Sequence, residues 1–156
     1  MSEITDLFRR RLAQAFAVRG LAAADHCVFL PRLDEQRFAA AIGTCDVILD
    51  SIGWSGCNST FESLHHHLPI VTMAGAFMRG RHTMAILRMM GVTETITETI
   101  DDYVATAARL ATDAPWRAEV SARMAAHRDA VYRDRACIAA LEAFLIEATS
   151  ANSTTN

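Results

Sequence analysis

Gly56-Cys57-Asn58-Ser59-Thr60-Phe61-Glu62-Ser63-Leu64 follows one apolar run, Val47-Ile48-Leu49-Asp50, and precedes another, Pro69-Ile70-Val71-Thr72-Met73. The apolar runs read as buried strands. The glycine and small polar residues read as a turn, and the segment between the turn and Pro69 as a helix. A strand, a small polar turn, a helix and a second strand make a βαβ unit, the building block of a parallel sheet. The turn also suits an anion. The first turn of a helix has unpaired N–H groups and a partial positive charge, and a phosphate fits there if nearby side chains are small or donate hydrogen bonds. Asn58, Ser59 and Thr60 meet that condition. Glu62 lies one step further along the helix, within reach of a ribose beside such a phosphate. A plainer reading stands beside this one: Ser59-Thr60-Phe61-Glu62 fits the capping box, in which Glu62 only satisfies a backbone N–H. The two roles are not exclusive. The spacing is neither that of a Walker A loop nor GxGxxG.

The rest of the chain repeats the rhythm. Leu7, Phe8, Leu12, Ala15 and Phe16 predict an amphipathic helix over 3–19, with Gly20 as its C-cap. Cys27-Val28-Phe29-Leu30 predicts a strand ended by Pro31. Asp34 caps a helix that turns Phe38, Ala41 and Ile42 inward. A helix over 78–90, ended by Gly91, leads to a strand over 92–96. Thr99-Ile100-Asp101-Asp102 opens a helix to about 111, Asp113-Ala114-Pro115 opens the next, and a last helix covers 134–148. Strand centres near 28, 48, 71 and 94 alternate with helices, which predicts an α/β fold with a Rossmann-like parallel sheet of about four strands. Residues 149–156 read as a disordered polar tail. Ligands of such sheets bind beyond the carboxyl ends of the strands. The loops 31–36, 51–59 and 74–81 fall there.

With 156 residues and 51% hydrophobic composition, the chain has the length of one domain with a real core. A net charge of -3 gives no reason to expect nucleic acid. The 15 basic residues are all arginine, so no mechanism within these residues uses a lysine. The 4 cysteines show no CxxC spacing and read as reduced thiols of a cytoplasmic protein. No signal peptide or membrane-spanning run is legible. His65-His66-His67 does not make a metal site, since consecutive helical residues point about 100° apart and cannot share one ion. Arg79, Arg81 and His82 could reach a phosphate or sugar across the cleft, or could simply line a solvated loop.

With these loops placed, VFLPRLDEQRF (28–38), DVILDS (46–51) and GCNSTFESLHHHLPIVTMAG (56–75) resemble the C-terminal catalytic region of protein O-GlcNAc transferases of the SPINDLY type. The resemblance runs from about 21 to 146. It implies that residues 1–148 form part of the C-terminal, nucleotide-sugar-binding half of a GT-B fold. It implies a glycosyltransferase whose donor is UDP-GlcNAc or another UDP-sugar, with no cofactor or metal. By resemblance Gly56, Asn58, Ser59 and Thr60 surround the diphosphate and Glu62 holds the ribose hydroxyls. Arg32 and Leu33 hold the uracil through backbone groups, and the ring of Phe38 stacks on it. Relatives carry His at the position of Phe38, a His in some cases at Cys57, and often a basic residue at Glu35. The groups that would provide the general base, the acceptor site and a lysine for the leaving diphosphate lie upstream of Met1 in that family. The chain is therefore expected to be truncated at the N-terminus and inactive in sugar transfer alone. Its expected partners are a protein acceptor or an N-terminal GT-B half, with neither nucleic acid nor membrane. The alternatives are a non-enzymatic nucleotide-binding or protein-interaction module derived from the same fold, and a generic α/β domain whose polar loop is only a cap.

The resemblance also sets an expectation for the sheet. In the parent order 3-2-1-4-5-6, the strand near 28 would be separated from that near 48 by a gap of about 14 Å. Direct pairing of 28–30 with 47–49, giving the order 28-48-71-94, is the expected way to close it.

Overall fold

Three short strands, β1 (Ile48–Leu49), β2 (Ile70–Met73) and β3 (Ile96–Thr97), form one parallel sheet in that order. Ile48 pairs with Ile70 and Leu49 with Val71; Thr72 pairs with Ile96 and Met73 with Thr97. Parallel neighbours need long crossovers. Here these carry α3 (Asn58–His65) between β1 and β2, and α4 (His82–Met89) between β2 and β3. The computed structural model describes residues 3–153. It divides into two units, Met1–Phe38 and Ala39–Asn156. The sheet belongs to the second, and the strands, helices and core that follow are described within it.

The core draws on every layer of this unit. Leu64 of α3, Ile70 and Val71 of β2, and Ile86 and Leu87 of α4 pack with Tyr103 and Leu110 of α5 (Ile100–Thr112) and Val120 and Met124 of α6 (Ala114–His127). β2 is the central strand and is buried from Ile70 to Thr72 because both its faces are covered. Two helix starts in this unit match the sequence. Thr99 Oγ1 accepts from Asp102 N–H at 3.1 Å and donates to Asp102 Oδ2 at 2.7 Å, capping α5. Asp113 Oδ1 accepts from Trp116 N–H at 3.0 Å and caps α6, with Pro115 in its first turn. That N–H holds the Asp113 carboxyl below the usual carboxylate range, aided by Arg109. His67 ends the turn after α3 in the left-handed region at φ 58. Its carbonyl accepts from Ser121 Oγ at 2.6 Å, and its Nε2 lies 2.8 Å from Arg128 Nη1, which pins the exit of α3 to α6. α7 (Asp129–Tyr132) and α8 (Ala136–Ser153) complete the chain.

The first unit holds α1 (Glu3–Ala17), a 3-10 turn at Ala23–Asp25 and the start of α2 (Glu35–Ile42). Asp34 caps α2, Oδ1 accepting from Arg37 N–H at 2.8 Å, as its position predicts.

Two expectations are corrected. Residues 27–30 form no strand, so the sheet has three strands rather than four among the described residues, and 28–30 do not pair with 47–49. The reason is local. Cys27 N–H turns back to Ala23 O at 2.8 Å, and Phe29 packs edge-to-face on Phe8 at 6.3 Å under the Arg9 guanidinium. Val28 and Leu30 are left exposed, so nothing on a sheet face holds this run in register. The last helix also continues past 148 to Ser153, where a polar tail is expected. Thr149 Oγ1 and Ser150 Oγ donate to carbonyls one turn back, at 2.9 Å and 2.8 Å to Ile146 O, so these polar side chains serve the helix rather than end it. Residues 154–156 lie outside the described part. The strand expected over 92–96 sits slightly later, at Ile96–Thr97.

Candidate functional site

At the carboxyl end of β1 the chain ends its apolar run on a buried aspartate. Asp50 cannot sit there unpaired, because an isolated buried carboxylate is costly. Its Oδ2 accepts from Ser55 Oγ and from Thr72 Oγ1, both at 2.7 Å, and its Oδ1 from Gly56 N–H at 2.7 Å. The loop after β1 is thus wrapped around its own strand end and fastened to β2. Tyr103 of α5 donates from below to the Asp50 carbonyl at 2.8 Å. Burial pushes the Tyr103 phenol above its usual value, and the Asp50 charge adds to that.

The network continues into α4. Thr83 N–H donates to Ser55 Oγ at 3.0 Å, and Thr83 Oγ1 lies 2.8 Å from Thr60 Oγ1. Thr60 is in the first turn of α3 and Thr83 in the first turn of α4. Two helix N-termini therefore meet within a hydrogen bond of each other. The loop before α4 is tied in as well, since Ser55 N–H donates to Arg79 O at 2.7 Å. That loop closes on itself through Gly75 N–H to Gly80 O at 2.8 Å, and a Cβ on Gly80 would lie 3.2 Å from the Gly75 Cα, so backbone meets backbone there.

These elements enclose a cavity of about 520 Å³. Asp50, Ser51, Trp54, Ser55, Gly56, Cys57, Asn58, Ser59 and Thr60 line one side; Arg79 and His82 line it from the α4 side. Gly56 is required by space: a Cβ there would stand 2.6 Å from Ser59 Oγ and 2.9 Å from Thr60 Oγ1. The N-cap of α3 is Cys57, and its side chain makes no capping bond. Ser59 lies inside the first turn, so Ser59 and Glu62 do not form the capping box that their spacing suggests. Thr60 and Phe61 N–H return to Cys57 O at 3.1 Å and 3.2 Å, while the N–H groups of Asn58 and Ser59 precede the first intrahelical bond. Asn58 and Ser59 are exposed at the cavity wall. The arrangement suits an anion: small side chains, two converging positive helix ends and an arginine.

The residues expected to hold a nucleotide sugar are distributed as follows. Gly56, Asn58, Ser59 and Thr60 come together around this cavity. Glu62 is half-buried on α3 and is not among the residues that line it. Arg32, Leu33 and Phe38 belong to the first unit, where Arg32 and Phe38 are exposed and Leu33 is half-buried. Sequence reasoning missed Asp50, Ser55, Thr83 and Trp54. A charged residue closing an apolar strand was the available signal for Asp50, since such a group must find partners. Among the described residues no group of three His, Cys, Asp or Glu is placed to hold a metal ion, and no helix is long and apolar enough to cross a membrane.

No family model matches the chain. Over 73 residues it is 34% identical to a probable UDP-N-acetylglucosamine–peptide N-acetylglucosaminyltransferase SPINDLY of Hordeum vulgare, a stretch that is 47% of this chain and 8% of that relative. The corresponding protein of Solanum lycopersicum is 32% identical over 73 residues, with the same shares. Among solved structures, a mutant of the Thermobaculum terrenum O-GlcNAc transferase matches with a TM-score of 0.74 and 29% identity, over 87% of this chain and 26% of that one. In sequence and in fold the chain resembles one part of a SPINDLY-type O-GlcNAc transferase of the GT-B class. It spans 8% of the length of these curated relatives and about a quarter of the solved chain.

Proposed function

We propose that the cavity at the start of α3 binds the diphosphate of a UDP-sugar, UDP-GlcNAc first among them, as the donor-binding part of a protein O-GlcNAc transferase. The observation that carries this reading is the convergence of two helix N-termini on a cavity walled by Gly56, Asn58, Ser59 and Thr60. The resemblance to transferases of that activity supplies the nucleotide and the sugar. In this reading Asn58 and Ser59 meet the phosphates and Glu62 the ribose. No cofactor takes part, and the acceptor is a cytoplasmic protein.

Calorimetric titration with UDP tests it. The chain should bind UDP, and Glu62→Ala should weaken that binding by roughly 1–3 kcal/mol, the cost of losing hydrogen bonds to a charged group. Equal affinity in the variant would leave Glu62 without a ribose role. Absence of UDP binding by the parent chain would remove the nucleotide reading altogether.

One observation favours a second reading, a module that binds the nucleotide without transferring sugar. The carboxylate that lines the cavity is Asp50, and both its oxygens are already taken by Ser55, Thr72 and Gly56. It is therefore not free to act as a general base.

A further inference from the structure

The 15 basic side chains of this protein are all arginine, so within these residues a phosphate can meet a side-chain cation only as a guanidinium or an imidazolium. The cavity presents one of each, Arg79 and His82. Arg79 is exposed, and its guanidinium lies 4.7 Å over the Phe77 ring, which fixes it at the rim. His82 is half-buried at the first position of α4, and its Nδ1 is buried with no hydrogen-bond partner among the described residues. Its neighbour Thr83 is the residue through which α4 touches α3 and Ser55. The backbone around His82 is therefore held, while its Nδ1 makes no hydrogen bond to the described residues.

His82 also lines a second cavity, of about 400 Å³, with Ala76, Met78, Arg81, Met84 and Ala85. His82 thus lines both the mixed cavity walled by Asn58 and Ser59 and a largely apolar groove.

We infer that His82 is a substrate-binding residue of this site, which in its imidazolium form closes the cavity over the diphosphate opposite Asn58 and Ser59, with Arg79 as the permanent cation at the rim. This rests on the proposed nucleotide-sugar reading and adds a residue and a pH dependence to it. An imidazolium hydrogen-bonded to a phosphate oxygen is a charge-assisted contact in a partly enclosed site, where such contacts are strongest. The other charged or titratable groups that line the two cavities with His82 are Asp50 from the end of β1, Cys57 from the start of α3, and Arg79 and Arg81 from the loop before α4. Of these side-chain types only an imidazole ordinarily changes charge between about pH 5.5 and about pH 7.5. The sign follows: the cation is present at the acid end, so affinity falls as pH rises.

The test is the affinity of the whole chain for UDP-GlcNAc, whose diphosphate is a diester and keeps its charge across this range. His82→Gln, which keeps a donor but no charge, and Arg79→Gln are measured beside it. The expected result is a loss of roughly tenfold in affinity from the acid to the neutral end for the parent. A flat profile is expected for H82Q, and a uniform loss with the slope kept for R79Q. A flat parent profile, or a slope that survives in H82Q, overturns the inference. ADP-glucose, with the same diphosphate on another base, separates this inference from the reading it rests on. If it binds with a slope that depends on His82 while UDP-GlcNAc does not bind, the nucleotide assignment falls and the role of His82 stands. If neither binds, both fall.

Discussion

Asp50 shows how much one side chain holds here. Three donors converge on its two oxygens, each at 2.7 Å, and two of them, Ser55 and Gly56, belong to the loop that shapes the cavity. Asn in its place offers one carbonyl oxygen to a site built for two acceptors, so one side would face N–H against a donor. The expected cost of Asp50→Asn is about 3 kcal/mol, the upper end for hydrogen bonds to a buried charge. Urea unfolding measures it. A change under about 0.5 kcal/mol would mean that the loop holds its shape without the carboxylate. This hub was only half legible in the sequence. The apolar run before Asp50 announced the strand, and the glycine and small residues after it announced the turn. The hub is completed by Thr72 on the carboxylate, Thr83 on Ser55 and Tyr103 on the Asp50 carbonyl, from segments 22, 33 and 53 residues away in sequence, which no local pattern connects. Gly56 was legible as a turn residue. The reason it must be glycine, the approach of the Ser59 and Thr60 hydroxyls, was not.

At the level of elements, the sequence spoke most clearly where a side chain serves its own neighbourhood. Thr99, Asp113 and Asp34 all cap the helices that their positions predict. It misled where an apolar run had two possible partners. Cys27-Val28-Phe29-Leu30 has the composition of a strand, yet Phe29 finds Phe8 and Arg9 instead of a sheet. It also misled at α8, where Thr149 and Ser150 look like the start of a tail but bond back into the helix. The joint between α3 and α6 carries a pH prediction. The folded state holds His67 below the ordinary histidine value, first through burial and then through the Arg128 charge, with smaller effects from His65 and His66. As pH falls through about 6.5, the unfolded chain takes up the proton first, so this joint loses stability on acidification and keeps it fully above that value. His67→Asn, which tolerates the left-handed backbone, should reduce the drop in melting temperature between about pH 7.5 and about pH 5.5. An identical drop in parent and variant would show that other histidines set the pH response.

For the molecule as a whole, the parallel sheet of Ala39–Asn156 brings loops from successive βα units to one end, and the cavity is there. That placement was readable from the rhythm of strands and helices alone. Binding and turnover nevertheless make different demands. Sugar transfer needs an acceptor held in line and a base to accept its proton, and the cavity carboxylate is fully engaged. Incubated with labelled UDP-GlcNAc and a protein acceptor, the purified chain is expected to transfer no label; turnover would show that the residues here suffice. The same cavity has an optical consequence. The protein contains 2 tryptophans. Trp54 stands at the cavity with 72% of its surface in water, while Trp116 lies under the Arg109 guanidinium at 4.0 Å. The two indoles therefore emit from unlike surroundings, one wet and one sheltered. A molecule entering the cavity takes water from the first and leaves the second untouched, so occupancy is written into the colour of the protein's own fluorescence without any added label.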